Sequence, residues 1–216
     1  MKTTPSFLLS RRLLLAGASG LALAGCGDLI GPTEAPRLYL LKAVLPQAAP
    51  GTKVDWALSV ALPDASAGLD SQRIAILSPP ASLDYYADAA WPDRLPALVQ
   101  NALLQAFENC GRIDAVAPDS DGTHADYILS TDLRDFEARY DQPDGVPVAV
   151  VRIGARLVGA VKRNIAGRFE AAEEVPASQN SVDAAVAALD EALARALTKI
   201  VAWALEMPKP LIRIEP

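Results

Sequence analysis

The sequence predicts a single α+β domain in which a mostly antiparallel sheet packs against two long helices. Two stretches repeat apolar residues at three- and four-residue intervals, the mark of one helix face. The first is Leu95, Leu98, Val99, Ala102, Leu103, Ala106, Phe107 and Cys110, and the second is Val182, Val186, Leu189, Leu193, Leu197, Ile200 and Leu205. Between them lie segments that alternate apolar and polar residues and are separated by turn residues, as half-buried strands joined by hairpins do. Strands and helices segregated in this way place the helices over one face of the sheet.

Each element has its own warrant. Arg37–Lys42 and Val54–Leu62 read as strands around a Pro/Gly loop at 46–53, and Pro63-Asp64 ends the second. Arg73–Leu77 is a short apolar strand stopped by Pro79-Pro80, after which Tyr85 and Tyr86 lead into an Ala-rich turn closing at Trp91-Pro92. The first helix starts at Leu95, with Pro92 or Pro96 and Asp93 suited to its positive end, and Gly111 stops it. Its polar face lacks the basic residues of a membrane-lying helix. Four strands follow at Ile113–Ala117, Asp126–Phe136, Val146–Val161 and Arg168–Val175, with turns at Asp144-Gly145 and from Asn164 to Gly167. In the second of these, Tyr127, Leu129 and Leu133 share one face and Ile128 and Phe136 the other. In the third, Ala149, Val151, Ile153, Ala155, Leu157, Gly159 and Val161 share a face opposite Arg152 and Arg156. Ser181 caps the second helix, and Pro208 and Pro210 end it.

The amino terminus has a different organisation. Lys2, Arg11 and Arg12 precede an apolar run, Leu13–Ala24, that is too short to span a bilayer. The run ends at Leu23-Ala24-Gly25-Cys26, which resembles the lipobox of bacterial lipoproteins. The resemblance implies cleavage before Cys26 and acylation of its thiol and new amino group, palmitate included. Residues 1–25 then form a lipoprotein signal peptide, and Ser10-Arg11-Arg12-Leu13-Leu14-Leu15 looks like a twin-arginine signal with Leu14 where phenylalanine is commonest. The alternative is an ordinary secretory signal with an incidental cysteine. Residues 26–36 form a lipidated flexible tether, about ten residues and roughly 35 Å when extended. Several acyl chains anchor stably where one does not. Gly27 follows the cysteine and the aspartate comes one place later, at Asp28. This favours the periplasmic face of the outer membrane over the inner membrane.

Composition excludes several functions. The first 25 residues carry three positive charges and no acid, so a net charge of −6 becomes −9 for the remainder. Such a chain does not bind nucleic acid through net charge and is not drawn as a whole to an anionic bilayer. Cys110 is the one cysteine besides Cys26, so no intramolecular disulfide forms in the lipidated protein, and its place on a helix face reads as a small buried hydrophobe. The single histidine, His124, falls in or beside a polar loop and reads as solvated. There is no zinc-protease helix, no paired-cysteine metal pattern, no nucleophile elbow and no phosphate-binding loop. No residue is therefore assigned a catalytic, metal or cofactor role. Asp132, Asp135 and Glu137 cluster on one strand and could act as a carboxylate pair. The plainer reading is a solvated face paired with Arg134, Arg139, Arg152 and Arg156, which could instead form an anion patch for lipid headgroups. Trp56, Trp91 and Trp203 are candidates for core or interface.

Several segments together resemble the ABC-type transport auxiliary lipoproteins. They are Leu69-Asp70-Ser71-Gln72-Arg73-Ile74-Ala75, Leu83-Asp84-Tyr85-Tyr86-Ala87-Asp88-Ala89-Ala90-Trp91 and Leu95-Pro96-Ala97-Leu98-Val99-Gln100, followed by Asp126-Tyr127-Ile128-Leu129, Leu133-Arg134-Asp135-Phe136-Glu137 and Ala187-Ala188-Leu189-Asp190-Glu191-Ala192-Leu193. The resemblance spans roughly residues 36–207. It defines a domain at 37–208 and leaves a short tail at 209–216. It implies a non-enzymatic component of an MCE-type lipid transport system, docking an MCE protein that works with an ABC permease and its ATPase to move phospholipids or other hydrophobic molecules between membranes. A ring-like homo-oligomer would suit docking around a tubular conduit. The alternative is a periplasmic lipoprotein that activates a cell-wall synthase, a role for which the tether is short.

Overall fold

The computed structural model describes residues 35–43 and 51–210. Residues 1–34, with the expected signal peptide, Cys26 and most of the expected tether, lie outside the described residues, as do part of the 46–53 loop and 211–216 of the tail. The chain from Pro36 onward is one compact unit. Its strands are β1 (Arg37–Leu38), β2 (Leu58–Val60), β3 (Asp64–Ala65), β4 (Arg73–Ser78), β5 (Ser82–Ala90), β6 (Val116–Pro118), β7 (Tyr127–Arg139), β8 (Val148–Gly159) and β9 (Ile165–Pro176). Its helices are α1 (Leu95–Asn109) and α2 (Val182–Ala204).

Strand β7 organises the sheet. One of its edges pairs with β8 from Tyr127↔Gly159 to Arg139↔Val148, and β8 pairs in turn with β9, all antiparallel. The other edge takes three short parallel partners in series: β2 at Leu58↔Tyr127, β3 at Asp64↔Asp132 and β4 at Ala75↔Glu137. Parallel pairs also join β2 to β6 and β1 to β5, while β4 and β5 form an antiparallel hairpin. The sheet is thus mixed, which corrects the mostly antiparallel expectation. Parallel partners return through long crossovers and leave no turn signature between them.

The helices end where expected. Ser181 Oγ accepts a hydrogen bond from the Ala184 N–H at 3.2 Å. Gly111, at φ 64°, stands just past α1 in the left-handed conformation that glycine adopts readily. Helix α2 has 23 residues and α1 only 15, so the expectation of two long helices holds for α2 alone. The buried faces of both helices join one core with the inward residues of the sheet, including Leu129, Leu133, Val151, Ile153 and Leu157.

Several strand expectations shift. The stretch from Tyr85 and Tyr86 toward Trp91-Pro92, read as leading into an Ala-rich turn, belongs to the nine-residue strand β5. Its residues are mostly exposed, so it lacks the buried alternation that marks a strand in sequence. The first two strands contract to Arg37–Leu38 and Leu58–Val60, the strand expected at Ile113–Ala117 lies at Val116–Pro118, and β9 begins three residues before Arg168. Phe136 does not share a face with Ile128. Leu133 pairs with Ile153 and Asp135 with Arg152, so Arg134 is an extra residue, and this bulge turns Phe136 inward beside Leu133. Val161 lies beyond β8 and is 61 % exposed, outside the inward row that ends at Gly159.

One inward position on β7 is polar. Thr131 is 1 % exposed, and its hydroxyl has no hydrogen-bond partner among the described residues. An unpaired buried hydroxyl costs stability, and valine keeps its shape without it. Thr131→Val should raise the urea midpoint, with a gain of about 1 kcal/mol.

Candidate functional site

Three of the segments that carry the family resemblance, at 69–75, 83–91 and 95–100, meet at the entrance to α1. The Trp91 N–H donates to the Gln72 carbonyl at 2.7 Å, and the Leu95 N–H donates to the Ser71 carbonyl at 3.1 Å. Gln72 Nε2 reaches the Pro92 carbonyl at 3.2 Å, and the Asp70 carboxylate takes both Nε and Nη2 of Arg94. The Arg73 guanidinium lies 3.5 Å from the centre of the Tyr85 ring, whose hydroxyl donates to the Gly68 carbonyl at 3.1 Å. Trp91 is 1 % exposed and meets Phe136 edge to face at 6.1 Å. The paired motifs therefore form a structural knot that starts α1 and seats Trp91 in the core.

The outer face of β7, β8 and β9 gathers the charged residues singled out in the sequence. Arg152 pairs across strands with Asp135, its Nε donating at 2.5 Å, and Arg139 holds Glu174 through two bonds of 2.9 Å and also pairs with Asp141. Arg134 bonds Asp132 at 2.7 Å and also Glu170. The Arg139 guanidinium holds the Glu174 carboxyl below its ordinary range. Arg156 departs from the expected pairing. It has no carboxylate partner among the described residues, and its Nη2 lies 3.4 Å from Ser130 Oγ.

Glu137 is the unusual acid. It is 7 % exposed, and its Oε2 accepts the Phe136 N–H at 2.7 Å. Burial, reinforced by the Asp135 charge, pushes its carboxyl up from 4.5 to about 7, against the opposing pull of the Phe136 N–H, Arg152 and Arg139. It lines a cleft of about 280 Å3 with Asp135, Arg139, Arg152 and Glu174. Asp132, Asp135 and Glu137 are thus on one face, but arginines neutralise the first two.

The amino-terminal segment is clamped onto α2, which sequence reasoning missed. Asp183, in the first turn of α2, accepts the Tyr39 hydroxyl at 2.7 Å and pairs with Arg37 at 3.0 Å. Its hydrogen bond to Tyr39 raises the tyrosine's pKa and lowers its own. Asp190 Oδ1 accepts the backbone N–H groups of Lys42 and Ala43 at 2.6 and 2.8 Å. An acid in the first turn of a helix is the one sequence signal that pointed there. At the other end of the unit, Trp56 Nε1 donates to the Met207 carbonyl at 3.1 Å and the Tyr127 hydroxyl to the Pro208 carbonyl at 2.7 Å.

The remaining sequence candidates fall as follows. Trp56 is core, 4 % exposed, and Trp203 is half-buried and stacked on Phe169 at 5.5 Å. Cys110 is partly buried at the end of α1, with its Sγ 2.9 Å from the Phe107 carbonyl. His124 is exposed. Among the described residues no helix is long and apolar enough to cross a membrane.

Comparison with known proteins decides the family. The family described as ABC-type transport auxiliary lipoprotein component matches residues 39–201. The chain belongs to this family. It is 29 % identical to a crystallised protein of Xanthomonas campestris, with a TM-score of 0.69 over 79 % of this chain and 93 % of that one. A second crystallised protein, uncharacterized, shares the fold at 16 % identity and a TM-score of 0.63, over 79 % of this chain and 99 % of that one. An uncharacterized protein of Bradyrhizobium diazoefficiens is 33 % identical over 147 residues, 68 % of this chain, and the match spans 38 % of that longer protein. The auxiliary-lipoprotein domain thus includes the α1 knot, the paired outer face and nearly all of α2.

Two outcomes check these assignments. Trp91→Ala should cost about 3–5 kcal/mol in urea unfolding, whereas Arg94→Ala, which removes an exposed ion pair, should cost about 1 kcal/mol or less. Glu137 sets a pH dependence. Between about pH 4.5 and 7 the unfolded chain releases this proton while the folded chain retains it, so stability falls as pH rises through that window. Unfolding at about pH 5 and about pH 8 should show a loss of up to roughly 3 kcal/mol, and Glu137→Gln should remove most of it.

Proposed function

We propose that this chain is a non-enzymatic lipoprotein, anchored through acyl chains on Cys26 to the periplasmic face of the outer membrane. There it serves as the auxiliary component of an MCE-type ABC transporter that moves phospholipids or other hydrophobic molecules between membranes. The observation that carries the reading is the family match across residues 39–201, which takes in nearly the whole folded unit. Two features support it. The order of basic residues, apolar run and Leu23-Ala24-Gly25-Cys26 is that of a lipidated export signal. Apart from Glu137, the acids described on the outer face are engaged by arginines, an arrangement suited to a rigid surface rather than to proton transfer. In this reading the permease and ATPase supply the work, the MCE protein supplies the conduit, and this chain holds the conduit to its membrane.

The test is recovery of partners from membranes. The tagged full chain, extracted in mild detergent, should co-purify an MCE protein, and metabolic labelling with palmitate should mark the wild type but not Cys26→Ser. Recovery without any MCE protein would remove the transport role, and an unlabelled wild type would remove the anchor.

A further inference from the structure

We propose that the outer face of β8 and β9 carries a site for the phosphodiester headgroup of an anionic amphiphile, held by Arg156 and Arg168. The two arginines are register partners on adjacent antiparallel strands, and Ser130 of β7 faces Arg156 in the same row. Like charges set directly opposite each other destabilise a sheet. The other arginines of this face answer that cost with acids: Arg134 has Asp132 and Glu170, Arg139 has Glu174 and Asp141, and Arg152 has Asp135. Among the described residues neither Arg156 nor Arg168 has a carboxylate in ion-pair contact, and Arg168 is exposed.

The surroundings define the ligand. Arg156 and Arg168 line a cleft of about 160 Å3 with Asp132, Arg134, Ala155 and Phe169. Its acid, Asp132, is already bonded to Arg134, as is Glu170 at its border. Three guanidiniums against these two carboxylates leave one positive charge, the complement of a phosphodiester monoanion. Paired guanidinium forks match phosphate oxygens in geometry as well as charge. The next row toward the hairpin tip is apolar. Ile128 and Val158 are half-buried, Ile165 is 45 % exposed, and Val161 beyond it is 61 % exposed. From Gly145 to Phe169 the chain has five basic residues and no acid, in a protein whose net charge is −6. A charged clasp beside an apolar row that is partly exposed among the described residues fits a ligand with a head and a tail better than free phosphate.

The site stands on this charge pattern alone and not on the transport role, since partner recovery and ligand binding are read separately. The full chain, extracted from membranes in a nonionic detergent, is titrated by native mass spectrometry with dihexanoyl phosphatidylglycerol and, separately, with inorganic phosphate. The lipid should give a saturable one-to-one adduct. Arg156→Gln and Arg168→Gln should each weaken it about tenfold, while Arg152→Gln, which breaks an existing ion pair, should leave it unchanged. Without ligand, Arg168→Gln should melt at the same temperature or higher, because it relieves a like-charge pair. A missing adduct, equal binding by the arginine variants, inorganic phosphate binding as tightly as the lipid, or a lower melting temperature for Arg168→Gln would each overturn the proposal.

Discussion

Strand β7 is paired along one edge for its whole length and at three places along the other, and the rest of the unit is arranged around that fact. One edge is filled by a single long partner, β8, while the other is filled by β2, β3 and β4 placed end to end. Three short strands can share an edge only if the chain returns to it three times in the same direction. The three visits follow one another closely in the chain, and the return from β4 to β7 carries much of the remaining architecture. Strand β5 and helix α1 both lie between β4 and β7 in the chain, and the knot of Gln72, Trp91 and Leu95 fixes where they turn. The bulge at Arg134 allows β7 to serve both halves. It changes which residues face inward just where the partner edge passes from β3 to β4, and so brings Phe136 onto Trp91.

The two faces of the sheet follow different rules. The inner face meets α2, whose buried positions alternate leucines with Ala188, Ala192 and Ala196, small enough to let the helix sit close to β8 and β9. Among the described residues no helix packs on the outer face, so its charges take their partners from the sheet's own strands and strand ends. This produces the pairs centred on Arg134, Arg139 and Arg152, and it makes Arg156 and Arg168 stand apart. An acidic protein can therefore carry a positive locus, because net charge and local charge are independent properties.

Elements with strong periodicity were legible in the sequence. The three-four spacing from Leu95 to Cys110 and from Val182 to Leu205 gave both helices to within a few residues, and Ser181 and Gly111 gave one boundary each. The alternation from Ala149 to Gly159 identified the inward face of β8 correctly. Short strands were not legible: β2 and β3 have three and two residues, and their pairing depends on β7, which is more than 60 residues away in sequence. Strand β5 was hidden because Asp84, Asp88 and its alanines leave no apolar alternation. At the candidate site, the sequence located the arginines and acids of one strand but not which acid each arginine would take. That depends on register, and the Arg134 bulge shifts the register by one. The pairing of Arg156 with Arg168 was unreadable for the same reason.

The contacts of Arg37, Tyr39, Lys42 and Ala43 have a mechanical meaning. A pull applied at Pro36 would not be borne by β1 alone, which is two residues long. It would pass also into the side chains of Asp183 and Asp190, and so into the 23-residue α2, which packs against β7, β8 and β9. A pull applied at Pro36 would thus be shared between the sheet edge and the helix behind it.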